Sequence, residues 1–278
     1  MNKIPKQRSV LITGCSSGIG RCTALALHQR GYKVFASVRD EKDIASLQQA
    51  GLFALQIDLS SSLSIERGVE AVLKEGNGLY GLFNNGAYGQ PGAVEDLTRD
   101  TLRQQFETNV FGWQELTNLI IPVMRRQGYG RIIQNSSVLG IVSMRMRGAY
   151  NASKYAIEGL SDTLRLELQG SGVYISLIEP GPITTNFRSN AVLQLRKNID
   201  IENSLHADSY KETIKKLETK GPVAPFTLPP EAVLKRVIDA LEKKRPAARY
   251  YVTFPTYLFG FLRRILSTRA LDRLLIKV

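Results

Sequence analysis

The chain is short of the residues that several kinds of site require. Only two cysteines, Cys15 and Cys22, occur in 278 residues. They fit no metal spacing, and two thiols in a chain of this length point to a reducing compartment rather than a disulfide scaffold. Histidine is equally scarce, at His28 and His206. No His-Glu-x-x-His and no cysteine cluster is present, so no metal centre is expected. A serine-hydrolase elbow, Gly-x-Ser-x-Gly, is also missing. No stretch reaches the ~18 consecutive apolar residues of a membrane span. The charged residues of Met1 to Ser9 run straight into a strand-like segment and a glycine-rich turn, unlike a secretion signal. A cytoplasmic location is therefore expected.

Acidic side chains are outnumbered, 25 against 37 basic ones, for a net charge of +12. The excess is concentrated at one end: Arg245, Arg249, Arg263, Arg264, Arg269, Arg273 and Lys277 are opposed from there on only by Asp272. Such a tail could serve nucleic acid, an anionic membrane surface or solubility. No helix-turn-helix, zinc or RNA-binding signature accompanies it, so nucleic acid is not expected. Between Pro255 and Val278 the apolar Leu258, Phe261, Leu262, Ile265 and Leu266 share one helical side, beside Arg263 and Arg264. An arginine-rich amphipathic helix can lie peripherally on a membrane. Equally, such a stripe packs on its own core, covers a pocket or joins subunits.

Short apolar strands alternate with amphipathic helical stretches. Strands are predicted at residues 9–13, 33–38, 52–57, 79–84, 130–135, 173–178 and 249–252. Helices are predicted at 18–30, 42–49 and 63–74, in a long stretch within 100–126, around Tyr150 and Lys154, and at 231–244. This rhythm implies an α/β fold, a single-domain Rossmann-type doubly wound parallel sheet of about seven strands with helices on both faces. One domain is expected to span residues 1–278. Residues 184–228 are polar, weakly periodic and broken by Gly221-Pro222 and Pro225, and fall where such a fold carries a substrate lid.

Two constellations carry chemistry. Gly14, Ser16, Ser17, Gly18, Ile19 and Gly20 join the first strand to the first helix. Glycines there let the backbone approach a pyrophosphate resting on helix N-terminal amides. Tyr150 and Lys154 stand four apart at the head of a helical run, so phenol and ammonium can share one face. A free tyrosine has a pKa of about 10. A neighbouring cation lowers it toward the range in which a phenol trades protons. A half-buried ring beside a solvated charge is the plainer reading of that pair.

Taken in order, Thr13-Gly14-x-x-x-Gly18-Ile19-Gly20, Asn84-Asn85-Gly86-Ala87, Asn109, Ser137, Tyr150-x-x-x-Lys154 and Pro180-Gly181 resemble the short-chain dehydrogenase/reductase superfamily. The match runs over residues 8 to 186. Within the superfamily the chain looks like NADP(H)-dependent aldehyde reductases and the steroid and retinol dehydrogenase branch. The resemblance implies Tyr150 as acid and base, Lys154 on its acidity and the nicotinamide ribose, and Ser137 on the carbonyl oxygen. It also implies Asn109 holding a relay water. Ser136 competes with Ser137, but the thirteen-residue spacing to Tyr150 favours Ser137. Cofactor contacts implied are Asn84, Asn85 and Gly86 near the adenosine ribose, Asp58 and Leu59 near adenine, Pro180-Gly181, and Ile183 with Thr185 at the carboxamide. Gly86 and Ala87 are swapped relative to the usual Asn-Asn-Ala-Gly, which puts more weight on Asn84 and Asn85.

At the end of the second strand, a carboxylate would hold the ribose 2′-hydroxyl of NAD, whereas a basic residue accommodates the 2′-phosphate of NADP. Val38 occupies that position and Arg39 follows it, favouring NADP(H) over NAD(H); a solvated Arg39 paired with Asp40 is the alternative. Phe187, Val192, Leu193, Leu195, Tyr210 and Phe226, with Met144 and Met146, suggest an apolar pocket, or only packing within the lid. NADPH-dependent reduction of a hydrophobic aldehyde or ketone is thus expected. An oxidative alcohol, steroid or retinoid-type dehydrogenase and a non-catalytic dinucleotide sensor are the alternatives. A homo-oligomer, dimer or tetramer, is expected by analogy.

Overall fold

The inner strands of the sheet are buried and every pair of neighbours runs parallel, as expected when helices cover both faces. β1 (Ser9–Ile12), β2 (Lys33–Val38), β3 (Phe53–Gln56), β4 (Gly81–Asn84), β5 (Gly130–Asn135), β6 (Val173–Glu179) and β7 (Arg249–Tyr251) pair in the order β3-β2-β1-β4-β5-β6-β7. These observations come from a computed structural model that describes residues 7–76, 78–219, 221 and 224–277. Met1 to Lys6 and Pro222, used in the sequence reading, lie outside the described residues. Helices α1 (Gly18–Gln29), α2 (Ile44–Gln48), α3 (Ser62–Gly76), α4 (Arg99–Phe106), α5 (Gly112–Gln127) and α6 (Gly148–Glu167) connect the first six strands. After β6 come α7 (Phe187–Asn198), α8 (Ala207–Glu218) and α9 (Glu231–Glu242), and after β7 come α10 (Phe254–Ile265) and α11 (Thr268–Leu275).

The period-two alternation of the strands sorts their side chains into two apolar layers. Val10, Ile12, Val34, Ala36 and Val38 pack with Ala24 and Leu27 of α1 and with Val233, Val237 and Leu241 of α9. Leu11, Phe35, Leu82 and Ile132 face the other way, onto Ile65 and Val69 of α3, Trp113 and Ile120 of α5, and Ile157 of α6. β1 lies between β2 and β4, so the connections leaving β1 and β4 diverge. The crevice that opens at the carboxyl ends of the strands there is where doubly wound sheets take their ligands.

One expectation is corrected here, and two readings left open are narrowed. The stretch predicted as one long helix is two, α4 and α5, joined by a π-helical turn at Glu107–Phe111. The wider turn carries the fully buried Asn109, whose amide is bonded outside the helix. Residues 184–228 hold two regular helices, α7 and α8. Their apolar residues bury locally: Leu195, Ile199 and Tyr210 against Ala93, and Ala191 and Val192 against Leu217. Val192, Leu195 and Tyr210 are therefore lid packing, while Leu193 and Phe226 are exposed. In the basic tail, Phe259 of α10 and Leu271 of α11 pack on Val138, Leu139 and Val142. Leu258, Phe261 and Ile265 remain exposed, so the tail packs by one side only.

A polar cluster ties β6, β7 and α6 together. Arg249 donates through Nε to Glu179 (3.1 Å), through Nη2 to Glu158 (2.9 Å), and through Nη1 and Nη2 to Asp162 (3.0 and 2.8 Å). Glu179 is wholly buried, and burial followed by the charge of Glu158 pushes its carboxyl far above the usual range. Burial likewise raises Glu158. Removing one partner of a buried ionic cluster strands the others, typically at about 3–5 kcal/mol. Arg249→Met should therefore lose stability of that order in urea unfolding at neutral pH. The loss should grow above pH 9, where the parent's Glu179 ionises beside Arg249 and the variant's has no cation to pair with. An equal loss at both pH values would show that lost packing, not charge, was responsible.

Candidate active site

The first strand ends in a turn that tolerates no side chain. Gly14 has φ +70°, and a Cβ there would lie 2.6 Å from the Gly86 Cα in the loop after β4. A Cβ on Gly20 would meet the Gly14 carbonyl oxygen at 2.2 Å. Thr13 fixes this approach, its hydroxyl accepting from the amides of Asn85 (2.9 Å) and Gly86 (2.8 Å). Ser17 caps α1 without spending its side chain on the helix, and no acidic residue stands in the first turn. The free N-terminal amides and the positive end of the helix dipole thus face an open, close-approach backbone, a good fit for a pyrophosphate.

From this turn a chain of amides leads to Lys154. The Asn85 side chain donates to the carbonyls of Thr13 (2.9 Å) and Gly14 (3.3 Å) and accepts from Asn135 (2.9 Å). The Asn135 carbonyl in turn accepts from Lys154 Nζ at 2.7 Å. Lys154 is 1% exposed, and its ammonium lies 4.3 Å from the Trp113 ring centroid and 5.5 Å from that of Tyr150. Trp113 donates its indole N–H to Gly86 O at 2.7 Å, so one side chain links the turn to the lysine. Burial lowers the Lys154 pKa to about 7, against a smaller upward pull from Glu158.

Tyr150, in the first turn of α6, is half-buried beneath the lid, and the Phe187 ring meets its edge at 5.3 Å. Burial raises its phenol to about 12; the Ser137 hydroxyl and then the Arg147 guanidinium pull it partway down. Lys154 is not among the groups lowering it, contrary to the sequence expectation. Its ammonium is directed to Asn135 O and the indole face, not to the phenol oxygen. Ser137 leaves β5 extended and accepts from Leu139 N at 3.1 Å. The Ser136 hydroxyl lies instead toward Gly140 and Glu158, which separates the two adjacent serines by direction.

Asn109 is braced by the Tyr88 main chain and by Ser153. Its amide protons go to Tyr88 O (2.9 Å) and Ser153 Oγ (3.2 Å), and its oxygen accepts from Tyr88 N (3.2 Å). Only one acceptor lone pair is left for a water. Asn84, too, is fully buried and donates to Thr117 at 2.9 Å, so its side chain faces α5 and not the cleft. Leu59 is core, and Asp58 accepts from the amide and hydroxyl of Ser60. Pro180 O accepts from Val138 N at 2.8 Å, holding the ends of β5 and β6 together. Ile183 bridges Leu228, and the Thr185 methyl would lie 3.0 Å from a Cβ on Gly18, which brings the start of the lid over the glycine turn. Arg39 is exposed, 3.2 Å from Asp40, with its carbonyl accepting from Gln56 at 3.0 Å.

A family model described as short chain dehydrogenase matches residues 8–195. The chain belongs to the short-chain dehydrogenase family. Among relatives, the uncharacterized oxidoreductase YbbO of Escherichia coli strain K12 is 42% identical over 270 residues, covering 97% of this chain and 94% of the relative. The NADPH-dependent 3-dehydrocapnine reductase of Ornithobacterium rhinotracheale is 30% identical over 279 residues, covering 97% and 96%. A short-chain dehydrogenase/reductase structure from Burkholderia phymatum, solved with NAD, superposes with a TM-score of 0.78 at 24% identity, covering 93% and 92% of the two chains. This short-chain dehydrogenase is thus an oxidoreductase on a fold that binds a nicotinamide dinucleotide. No helix among the described residues is long and apolar enough to cross a membrane.

Sequence reasoning missed Trp113, Asn135 and Arg147. The single tryptophan of the chain was a usable signal, because a lone large indole in an amphipathic helix is a natural floor for a buried cation. The others depend on contacts far apart in sequence.

Proposed function

We propose that this short-chain dehydrogenase reduces an apolar aldehyde or ketone to its alcohol with NADPH. The observation that carries the reading is the meeting of Ser137, Tyr150 and the buried Lys154 at the carboxyl ends of β5 and β6, one amide chain away from the glycine turn. When bound, the reduced nicotinamide supplies the hydride. Ser137 donates a hydrogen bond to the carbonyl oxygen, where negative charge grows. Tyr150 delivers a proton to that oxygen and keeps its own proton until then, because burial holds the free phenol neutral. Lys154, buried and held by Asn135, would present its ammonium to the nicotinamide ribose. Asn109 holds the loop at Tyr88 and, through Ser153, the first turn of α6. In the oxidative direction the same residues work in reverse.

Gly14, Gly18 and Gly20 would hold the pyrophosphate, with Ser16, Ser17 and Ile19 around it, and Thr185 would close over it. Arg39 would take the ribose 2′-phosphate. Val38 is buried, and no carboxylate ends β2 where NAD would need one. The relative whose name specifies NADPH supports the same choice. Charge-assisted hydrogen bonds contribute about 1.5–3 kcal/mol, so Arg39→Glu should lower the NADPH:NADH ratio of kcat/KM by at least about tenfold. An unchanged ratio would leave Arg39 a solvated partner of Asp40. Absorbance at the NADPH band, followed over a panel of aldehydes and ketones, tests the reaction itself. Tight NADPH binding with a silent panel would favour a sensor.

Exposed Phe111, Leu119, Leu160 and Leu166 on the π-turn, α5 and α6 support assembly with a second copy of the chain. Exposed Phe261, Ile265 and Leu274 among Arg263, Arg264, Arg269 and Arg273 support peripheral contact with an anionic membrane surface.

A further inference from the structure

Basic side chains collect in a pocket that the proposed chemistry does not use. An open cavity of about 310 Å³ lies between α6, β7 and α10, lined by Glu158, Arg249, Tyr251, Gly260, Arg263 and Arg264. A second hollow of about 290 Å³ shares Arg249, Tyr251 and Arg264 with it and adds Arg236 of α9 and Tyr257 of α10. Aromatic contacts hold the walls. A Cβ on Gly260 would lie 2.7 Å from the Tyr251 ring, so α10 rests directly on β7. The Tyr251 and Tyr257 rings meet edge to face at 5.4 Å. Tyr257 donates its hydroxyl to the Tyr251 carbonyl and accepts from Arg236 Nη2, both at 3.0 Å. Arg263 donates to the Tyr155 hydroxyl at 3.2 Å and lies over that ring, and Tyr155 is fixed on Ile141 O at 2.7 Å.

These phenols orient the guanidinium groups without neutralising them. Among the described residues, four arginines and one acid, Glu158, line the two hollows. Glu158 is bonded to Arg249 at 2.9 Å, and Asp162 and Glu179 bond Arg249 as well. Asp239, beside Arg236, is shared with Lys243. No carboxylate among the described residues pairs with Arg263 or Arg264. Cations gathered on one concave surface favour an anion that bridges them. The neighbouring strip of α10 is apolar. Leu258, Phe261 and Ile265 are spaced three and four apart, share one helix face and stay exposed. Phe261 directly follows Gly260, and Ile265 directly follows Arg264, so the stripe runs beside the pocket.

We propose that this pocket receives the headgroup phosphate of an anionic phospholipid. Arg236, Arg263 and Arg264 meet its oxygens, and Leu258, Phe261 and Ile265 enter the acyl layer. This rests on the membrane-surface contact given above and deepens it: diffuse attraction needs no particular arginine, whereas a pocket does. A soluble phosphate ester offers the same oxyanion but leaves the apolar stripe uncovered.

The test sediments the full-length protein with vesicles of phosphatidylcholine alone and of phosphatidylcholine with phosphatidylglycerol. The protein should bind the second kind, and the deacylated headgroup glycerophosphoglycerol should compete. Arg264→Gln should lower the partition coefficient by at least about tenfold, the scale of a charge-assisted hydrogen bond, and should abolish that competition. Arg273→Gln removes the same charge from α11, outside the pocket lining. It should cost no more than about fivefold, the share of one cation at an anionic surface, and should keep the competition. Both arginines are exposed, so neither change should disturb folding. Equal losses in the two variants would overturn the pocket and leave the diffuse membrane contact standing. Failure to sediment with either vesicle would overturn the membrane contact and the lipid site with it. In that case, Arg264-dependent binding of glycerophosphoglycerol would reassign the pocket to a soluble phosphate ester.

Discussion

Replacing Tyr150 by phenylalanine should lower kcat by about a hundred- to ten-thousandfold, the usual share of a positioned proton donor, with NADPH binding little changed. The substitution removes one hydroxyl and keeps the ring that packs on Phe187 at 5.3 Å. No hydrogen bond holding the fold is lost, because the bond that braces this turn uses the Tyr150 carbonyl, accepting from Ser153 at 2.8 Å. Stability should therefore stay near that of the parent while turnover collapses. Single-turnover kinetics with unfolding curves on the same preparation reads both. A variant retaining a tenth or more of the parent rate would remove the phenol from the chemistry.

Lys154→Met should separate stability from activity in the opposite sense. Lys154 is buried, its desolvated ammonium held by one carbonyl at 2.7 Å and two ring faces, and its folded pKa is about 7 against an ordinary 10.5. Between those values the unfolded chain binds more protons than the folded one, so this group makes stability rise with pH from about 7 to 10.5. It is destabilising below pH 7, where both states carry the charge and only the folded one has lost its solvent. The Met variant should accordingly be more stable than the parent at pH 6, and the gap should close as pH approaches 10.5. Activity should fall by about a hundredfold or more, since neither the ribose nor the developing charge keeps a cation. A lysine that only supports the fold would lose stability and activity together. Thermal unfolding of the apoprotein across this pH range, beside steady-state rates, distinguishes the two.

The sheet was legible because its strands are short apolar runs separated by amphipathic helices, a pattern that survives any detail of packing. The glycine turn was legible because a close approach such as Gly14 to Gly86 leaves room for no other residue. What escaped were arrangements decided by contacts between distant residues. The helices α7 and α8 bury small local clusters, not a stripe against the sheet, so their periodicity in the sequence is weak. The π-turn exists because Asn109 answers the Tyr88 main chain. Tyr150 and Lys154 were correctly paired on one helix, but the target of the ammonium was not readable, since Asn135 and Trp113 arrive from β5 and α5. Asn84 looked like a ligand contact and is buried under Thr117, because its side chain falls on the helix side of β4. Arg249 looked like one charge of a basic tail and instead bonds three carboxyl groups of α6 and β6.

Transfer of deuterium is the most direct test of the central claim. Incubated with NADPH deuterated at the transferring position of its nicotinamide C4, the protein should convert an apolar carbonyl compound to an alcohol bearing deuterium on the carbinol carbon. That label should become almost undetectable with Tyr150→Phe over the same time. Across a panel of aldehydes and ketones, failure to form labelled alcohol while NADPH stays bound would contradict the account.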